Sequence, residues 1–221
     1  IAIEIIENHA MVNKVKPLKR FGQNYLIDKN IVLKIIEEFE PKPEDEIIEI
    51  GPGTGSLTYH LISKVKKLTA IEIDKRVIEN LKNEMPSLNI INEDFLATDI
   101  KKYVRNNKKV RIIGNIPYNI TSSILFKLIE EREYVSDAMF MVQFEVAKRM
   151  TAKQGTKDYS ILSVLLNYFS NTRLCFKISP NVFYPKPKVF SAIVHIRFKE
   201  IDNIVDDKLF IKVVKASFGN R

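Results

Sequence analysis

Residues 47–58 read IIEIGPGTGSLT, and this stretch decides the fold. Ile47–Ile50 is a short, β-branched run of the kind that forms a buried strand, and residues 56–58 can open a helix. Three glycines, at positions 51, 53 and 55, separate the two elements. Glycines spaced in this way let the backbone turn tightly and approach a ligand closely. A strand, a glycine loop and a helix in this order indicate an α/β nucleotide-binding fold.

The following strand candidate, residues 68–74, carries an acidic side chain at Glu72. Glu72 falls about 20 residues after Gly51, the interval at which a carboxylate meets ribose hydroxyls in nucleotide-binding βαβ units. A dinucleotide oxidoreductase would have a similar loop, but its Gly-x-Gly-x-x-Gly fingerprint needs a third glycine where this chain has Ser56. The spacing therefore fits a dinucleotide site poorly.

Two more candidate strands end in polar groups. Residues 88–92 precede Asp94, and residues 110–114 precede the tetrapeptide Asn115-Ile116-Pro117-Tyr118. In an open α/β sheet, ligands bind outside the carboxyl ends of the strands. The glycine loop, Glu72, Asp94 and the tetrapeptide are therefore predicted to line one crevice.

The tetrapeptide suits chemistry on a planar amine. An exocyclic amino group on a base is a poor nucleophile because its lone pair is delocalised into the ring, and two oxygen acceptors can localise that pair. The Asn115 amide and the Ile116 carbonyl are predicted to be these acceptors, while Tyr118 offers a flat face for stacking. Pro117 fixes its own φ and favours an extended residue before it. None of the four titrates near neutral pH, so the predicted mechanism is orientation by fixed dipoles.

In sequence order these motifs resemble the KsgA-type family of S-adenosylmethionine-dependent rRNA adenine N6-dimethyltransferases. The resemblance implies an α/β, Rossmann-like class I methyltransferase fold with a mixed seven-stranded sheet. The stretches that carry it are residues 20–28, 49–55, 71–74, 93–96, 114–118 and 182–189.

The resemblance also implies roles for individual residues. Gly51 would lie against the methionine portion of S-adenosylmethionine, and Glu72 would bind the ribose hydroxyls of this cofactor. Asp94 would accept a hydrogen bond from the amino group of the cofactor's adenine. Tyr118 and Phe183 would sandwich the target adenine. The expected cofactor-binding residues are Gln23, Asn24, Leu26, Gly51, Gly53, Glu72, Asp94, Phe95 and Asn115, and those expected at the reacting amine are Asn115, Ile116, Pro117, Tyr118 and Phe183.

Each of these residues also has a plain structural interpretation. Glu72 and Asp94 could be solvated loop carboxylates, and Phe183 could be a core aromatic. Gln23 and Asn24 could be turn residues before a helix, and the tetrapeptide could be an ordinary proline turn. Their common order along the chain favours the site.

Charge points to a nucleic-acid partner. The chain of 221 residues carries 35 Lys plus Arg against 27 Asp plus Glu, a net charge of +8 and a pI of about 9.4. Basic excess favours phosphate binding. The family resemblance implies that this partner is small-subunit rRNA within a pre-ribosomal particle, and the expected state is a monomer. The basic residues cluster within residues 14–20, 101–111, 148–153 and 186–188.

The sequence argues against a disulfide-bonded, metal-binding, membrane-spanning or secreted protein. Cys175 has no second cysteine to pair with, and a structural thiol in a reducing compartment is expected. The histidines at 9, 60 and 195 are scattered, so no metal site is predicted. No apolar stretch approaches the length of a membrane span, and glutamates interrupt residues 1–10, which argues against a signal peptide. The expected localisation is cytoplasmic.

Periodicity supplies the remaining elements and the domain boundaries. Residues 1–18 are predicted to be an extension or basic arm, 19–200 the methyltransferase domain, and 201–221 the start of a truncated C-terminal helical domain that family members usually continue. One predicted helix begins after Asp28, and three further helices are predicted over residues 121–131, 144–150 and 159–169. The later strands are predicted over residues 138–142, 173–178 and 190–198.

The function implied by the resemblance is transfer of methyl groups to N6 of two adjacent adenosines in small-subunit rRNA, giving N6,N6-dimethyladenosine during ribosome biogenesis. Three alternatives stay open. They are a large-subunit rRNA methyltransferase of the antibiotic-resistance type, a ribosome-assembly RNA-binding factor with dispensable catalysis, and a DNA adenine or protein glutamine methyltransferase. The last group more often has a second proline where this chain has Ile116.

Overall fold

The computed structural model describes residues 15–18, 21–200 and 206–218. Within these residues, seven strands form one sheet, and two short strands, β1 (Tyr25–Leu26) and β8 (Phe183–Tyr184), pair antiparallel beside it. The strands of the main sheet are β2 (Glu46–Ile50), β3 (Lys67–Glu72), β4 (Asn89–Asn92), β5 (Val110–Asn115), β6 (Val135–Gln143), β7 (Ser170–Ile178) and β9 (Ser191–Phe198).

Helices cover both faces of this sheet. The first begins after Asp28, whose side chain accepts a hydrogen bond from the Ile31 N–H, and ends before Glu40, which adopts a left-handed φ of 48° ahead of Pro41. The helices are α1 (Lys29–Phe39), α2 (Thr58–Ile62), α3 (Lys75–Glu84), α4 (Thr121–Glu130), α5 (Phe144–Met150), α6 (Ile161–Phe169) and α7 (Asp207–Phe218).

The strand order places the crevice. It runs β4-β3-β2-β5-β6-β9-β7, with β2 to β6 parallel and β9 antiparallel to both of its neighbours. The chain proceeds from β2 to β4 in one direction across the sheet and from β5 to β6 in the other. The order therefore reverses between β2 and β5, and ligands of open α/β sheets bind at such a reversal.

Two apolar cores pack against the sheet, one on each face. One joins α4, α5, α6 and α7 to the sheet through residues such as Leu125 and Leu165, and the other joins α1, α2 and α3 through residues such as Phe39 and Leu81. Burial on both faces explains why β2 and β5 each carry two consecutive isoleucines, Ile47-Ile48 and Ile112-Ile113, rather than an apolar residue at every second position.

The predicted fold class is confirmed, and the differences concern element ends. The strand predicted over residues 68–74 stops at Glu72, because Asp74 caps α3 and accepts from the Arg76 N–H. The helix predicted from Tyr159 begins at Ile161, because the Ser160 and Ser163 side chains form a capping box. The strand predicted over 138–142 extends over the whole of β6.

The predicted terminal segments are only partly described. Most of the predicted arm, residues 1–14, lies outside the described residues, as do 19–20, 201–205 and 219–221. Helix α7 falls in the predicted C-terminal segment, and it packs on α6 through the rings of Phe210 and Tyr168, 4.4 Å apart, with Val214 buried. In the part of the chain that is described, no helix is long and apolar enough to cross a membrane.

Candidate active site

A cavity of about 210 Å³ opens at the carboxyl ends of the parallel strands, where the strand order reverses. It brings together every predicted site residue except Phe183. The predicted residues on its wall are Gln23, Asn24, Leu26, Gly51, Gly53, Glu72, Asp94, Phe95, Asn115, Ile116, Pro117 and Tyr118.

Two glycines shape the backbone at the ends of β2 and β5, beside the cavity. Gly51 has a φ of 63°, and a Cβ added there would meet no heavy atom within 4 Å, so the backbone faces open space that a ligand can fill. Gly114 lies opposite Ile50 in the β2–β5 pairing. A Cβ at Gly114 would lie 2.6 Å from the Ile50 carbonyl oxygen, so only glycine lets these two strand ends approach closely.

Glu72 is fixed at the end of β3 and is only 6% exposed. Its Oε1 accepts hydrogen bonds from the backbone N–H groups of Ile73 and Asp74, each at 2.9 Å. Burial raises the pKa of Glu72, and backbone hydrogen bonds from Asp74, Ile73 and Gly53 oppose that shift. The carboxylate is thus a rigid acceptor beside the glycine loop, as recognition of a ribose diol requires.

Asp94 and Gln23 both line the cavity, but their side chains differ in exposure and in hydrogen bonding. Asp94 is exposed, and its Oδ1 accepts from the Leu96 N–H at 2.9 Å. The Gln23 amide is held by the protein itself, because it donates to Asp74 at 3.1 Å and accepts from the Leu18 N–H at 2.8 Å. Gln23 therefore ties the N-terminal motif to the sheet, and its contact with a cofactor stays a prediction.

Asn115 is oriented by a single hydrogen bond. Its Nδ2 donates to the Asn24 carbonyl oxygen at 2.7 Å, and Asn24 in turn donates from its side chain to the Gly22 carbonyl at 3.2 Å. A carbonyl can only accept, so the amide nitrogen of Asn115 must face it. The Asn115 Oδ1 is left as the acceptor for a ligand amine.

Tyr118 is held at the cavity wall by its hydroxyl. A hydrogen bond of 2.7 Å joins this hydroxyl to the Ser191 Oγ at the start of β9. Burial raises the pKa of Tyr118, so the phenol stays neutral and does not serve as a base. Its ring can act as a fixed stacking surface.

Phe183 lies away from the cavity wall. It is 3% exposed, pairs with Leu26 between β8 and β1, and belongs to the core under α1. The structure places its ring with the core aromatics, in line with the plain structural interpretation. The sandwich role of Phe183 stays a prediction.

Glu49 is a cavity residue that the sequence reasoning missed. It lies in the middle of the isoleucine run of β2, is 1% exposed, and lines the cavity. Burial raises the pKa of Glu49 to about 8, and its Oε2 has no hydrogen-bond partner among the described residues. An acidic residue within an otherwise apolar central strand was the available signal.

We expect Glu49→Gln to flatten the dependence of protein stability on pH. Between the ordinary pKa of 4.5 and the folded-state value of about 8, the unfolded chain loses a proton that the folded chain keeps. Stability therefore falls with rising pH by about 1.4 kcal/mol per unit in this window. Glutamine removes this contribution, which urea denaturation at several pH values would measure. Exposed Glu79→Gln is the control, and equal slopes for wild type and Glu49→Gln would contradict the assignment.

The described residues contain no group of three or more His, Cys, Asp or Glu side chains that could hold a metal. They present a buried carboxylate, an open glycine loop and an oriented amide around one cavity. The fold is that of class I S-adenosylmethionine-dependent methyltransferases. Residues 14–221 match the family model described as ribosomal RNA adenine dimethylase, and the chain belongs to that family.

Individual relatives agree with this assignment. The chain is 43% identical over 203 residues to "Ribosomal RNA small subunit methyltransferase A" of Chlorobium phaeobacteroides, covering 92% of this chain and 75% of the relative. It is 41% identical to the protein of the same name from Francisella tularensis subsp. novicida, covering 96% and 82%.

Two solved structures are similar over most of the chain. A dimethyladenosine transferase from Plasmodium falciparum has a TM-score of 0.77 at 31% identity, covering 87% of this chain and 70% of that one. The 23S rRNA methyltransferase ErmE has a TM-score of 0.74 at 27% identity, covering 89% and 79%.

Proposed function

We propose that this protein transfers methyl groups from S-adenosylmethionine to N6 of two adjacent adenosines in small-subunit rRNA, giving N6,N6-dimethyladenosine during ribosome biogenesis in the cytoplasm. The observation that carries the proposal is the orientation of Asn115, whose oxygen is left free for an amine by the bond to the Asn24 carbonyl. The names of the relatives support the small subunit as the source of the substrate.

The cavity residues divide between cofactor and substrate. Gly51 and Gly53 supply backbone that a ligand can approach, Glu72 supplies a buried acceptor for ribose hydroxyls, and Asp94 supplies an exposed carboxylate beside buried Phe95. When bound, S-adenosylmethionine supplies a methyl group on a positively charged sulfur. The chain's own part is to hold that group in place and keep the methyl next to Asn115.

The target amine is activated by orientation. The Asn115 Oδ1 and the Ile116 carbonyl accept its two hydrogens, which draws the nitrogen lone pair out of conjugation with the ring. Tyr118 supports the ring from one side through the fixed phenol. Bound S-adenosylmethionine would supply the methyl group to N6 with cleavage of its sulfur–methyl bond, and the amine proton would leave to water. No side chain is required to ionise, in agreement with the neutral state of Tyr118.

The substrate base must leave its stack to reach this cavity. Extrusion of a base costs a few kcal/mol, and the cost is lower in RNA loops and ends. The basic excess of the chain, +8 overall, attracts the phosphates around such a site. We further propose that the protein acts as a monomer on rRNA within a pre-ribosomal particle.

The large-subunit alternative is less favoured. ErmE shares the fold, but its identity to this chain is lower than that of the relatives named for the small subunit. The assembly-factor alternative is a protein whose catalysis is dispensable or lost, and the presence of Glu72, Asp94 and Asn115 on one open cavity argues against loss.

The test combines cofactor binding with methylation of both subunits. Calorimetry with S-adenosylmethionine should show binding, and small-subunit particles from a strain without its own dimethylase should gain dimethyladenosine by mass spectrometry. Methylation of large-subunit RNA alone would support the resistance-type alternative. Absence of cofactor binding would leave only a role in RNA binding.

A further inference from the structure

A second cluster of aromatic and basic side chains lies at the edge of the sheet where the cavity opens. Phe190 directly precedes β9 and is 46% exposed. The Lys177 Nζ lies 3.9 Å from the centroid of its ring and 4.7 Å from the centroid of Phe144, the first residue of α5. Lys148 lies over the ring of Phe144 at 5.6 Å. We call Phe190, Phe144 and Lys177 the rim cluster.

The rim cluster is connected to the wall of the cavity. The Phe144 N–H donates to the Phe190 carbonyl at 2.9 Å, which joins the start of α5 to the start of β9. The next residue, Ser191, holds the Tyr118 hydroxyl. One backbone step therefore separates an exposed ring from the residue that anchors the stacking surface for the target base.

Exposed apolar surface is concentrated beside this point. Of the large apolar side chains exposed in the described residues, Tyr184, Val189 and Phe190 all fall in the short segment 184–190. The same segment carries Lys186 and Lys188. Exposed rings among lysines match single-stranded RNA, because bases stack on rings and phosphates pair with ammonium groups. An apolar protein partner would not call for the positive charge.

We propose that the rim cluster is a second nucleotide subsite, which stacks the base next to the target adenosine on Phe190 and neutralises the adjoining phosphate with Lys177. This inference rests on the proposed function and extends it to the flanking nucleotide. When the target base leaves the stack, its neighbour loses a stacking partner. The rim cluster supplies a replacement and so favours the extruded form of the substrate.

The first test separates binding from chemistry. Phe190→Ala should raise KM for small-subunit particles roughly 5- to 150-fold, the range that loss of one base–aromatic stack spans. The kcat and the affinity for S-adenosylmethionine should stay at wild-type values, because the flanking base is bound equally in ground and transition states. Phe190→Tyr should restore KM, since it restores a ring. Leu33→Ala, which also shortens an exposed apolar side chain, is the control.

The second test addresses the phosphate. Lys177→Ala should reduce the slope of log affinity against log salt by about 1 for a hairpin RNA with two adjacent adenosines in its loop. Lys82→Ala, an exposed lysine on α3, should leave this slope unchanged. In the same hairpin, 2-aminopurine placed beside the target adenosine should be quenched by wild-type protein and less so by Phe190→Ala.

The outcomes distinguish the two proposals. If the wild type methylates particles and Phe190→Ala has an unaltered KM and unaltered quenching, the rim cluster is ordinary surface packing and the inference fails alone. If the wild type neither binds S-adenosylmethionine nor methylates either subunit, the proposed function fails first. A raised KM in Phe190→Ala that Phe190→Tyr does not restore would also overturn the stacking role.

Discussion

Asn115→Ala is expected to lower kcat for adenosine methylation by about 10²- to 10³-fold, the loss typical of removing one preorganised polar group from an active site. The methyl side chain of alanine cannot accept the amine hydrogen that the Asn115 Oδ1 is positioned to accept. KM for RNA should change little because Tyr118 is untouched, and the affinity for S-adenosylmethionine should fall much less than kcat because Asn115 is one of several expected cofactor-binding residues and Glu72 is untouched. Single-turnover methylation with calorimetry of the cofactor measures the three quantities separately.

The matched control for this variant is Asn171→Ala, which removes an exposed amide on β7, the edge strand of the sheet. It should retain wild-type kcat. Asn115→Asp adds a sharper comparison, because aspartate keeps an acceptor but cannot donate to the Asn24 carbonyl. A wild-type kcat in Asn115→Ala would remove the amine-orienting role and with it the proposed mechanism.

Asp137→Ala is expected to lower the free energy of unfolding by about 3–5 kcal/mol, the cost of breaking a buried ion pair on one side. Asp137 accepts hydrogen bonds from Arg111 at 2.7 and 2.9 Å and from the His195 Nε2 at 2.7 Å. The same guanidinium also reaches Asp45 at 2.7 Å. Removal of Asp137 leaves the His195 imidazole buried without this acceptor and the guanidinium with fewer.

The Asp137 carboxylate also makes the free energy of unfolding depend on pH in the acidic range. Burial opposes ionisation of Asp137, but the hydrogen bonds from His195 and Arg111 outweigh it and hold its pKa at about 2, below the ordinary 3.8. The stabilisation is therefore complete above pH 3.8 and is lost as pH falls toward 2. Urea denaturation of wild type and Asp137→Ala across this range measures the effect. Glu130→Ala, an exposed carboxylate, should behave as wild type. Equal stability of Asp137→Ala and wild type at neutral pH would contradict the network.

The fold could be predicted from sequence because its signals are local. Isoleucine runs, a glycine loop and the cap at Asp28 each act within a few residues, and the order of the strand ends fixed which side chains meet at the crevice. The convergence of Glu72, Asp94 and Asn115 on one cavity could be predicted for the same reason, since Glu72 and Asn115 end strands and Asp94 lies two residues after β4.

What could not be predicted depends on contacts between distant parts of the chain. The burial of Phe183 follows from the pairing of β8 with β1. The Gln23 side chain is held in place by a hydrogen bond that it donates to Asp74, 51 residues away in sequence. His195 is scattered from the other histidines in the sequence, and its contact with Asp137 forms only where β6 and β9 lie side by side in the fold. Neither spacing nor composition carries such information. Phe190 was treated only as the start of a strand, since its exposure is a property of the folded chain.

The bond between Asn115 and Asn24 joins two parts of the chain that are far apart in sequence. If the segment around Asn24 is not docked, the Asn115 amide loses the acceptor that orients it, and a rotated amide would present its NH₂ group, which would repel the incoming amine. The segment around Asn24 therefore completes the proposed active site, because it sets the orientation of the Asn115 amide. A chain in which this segment is undocked would keep every proposed catalytic residue and would still be inactive in methyl transfer.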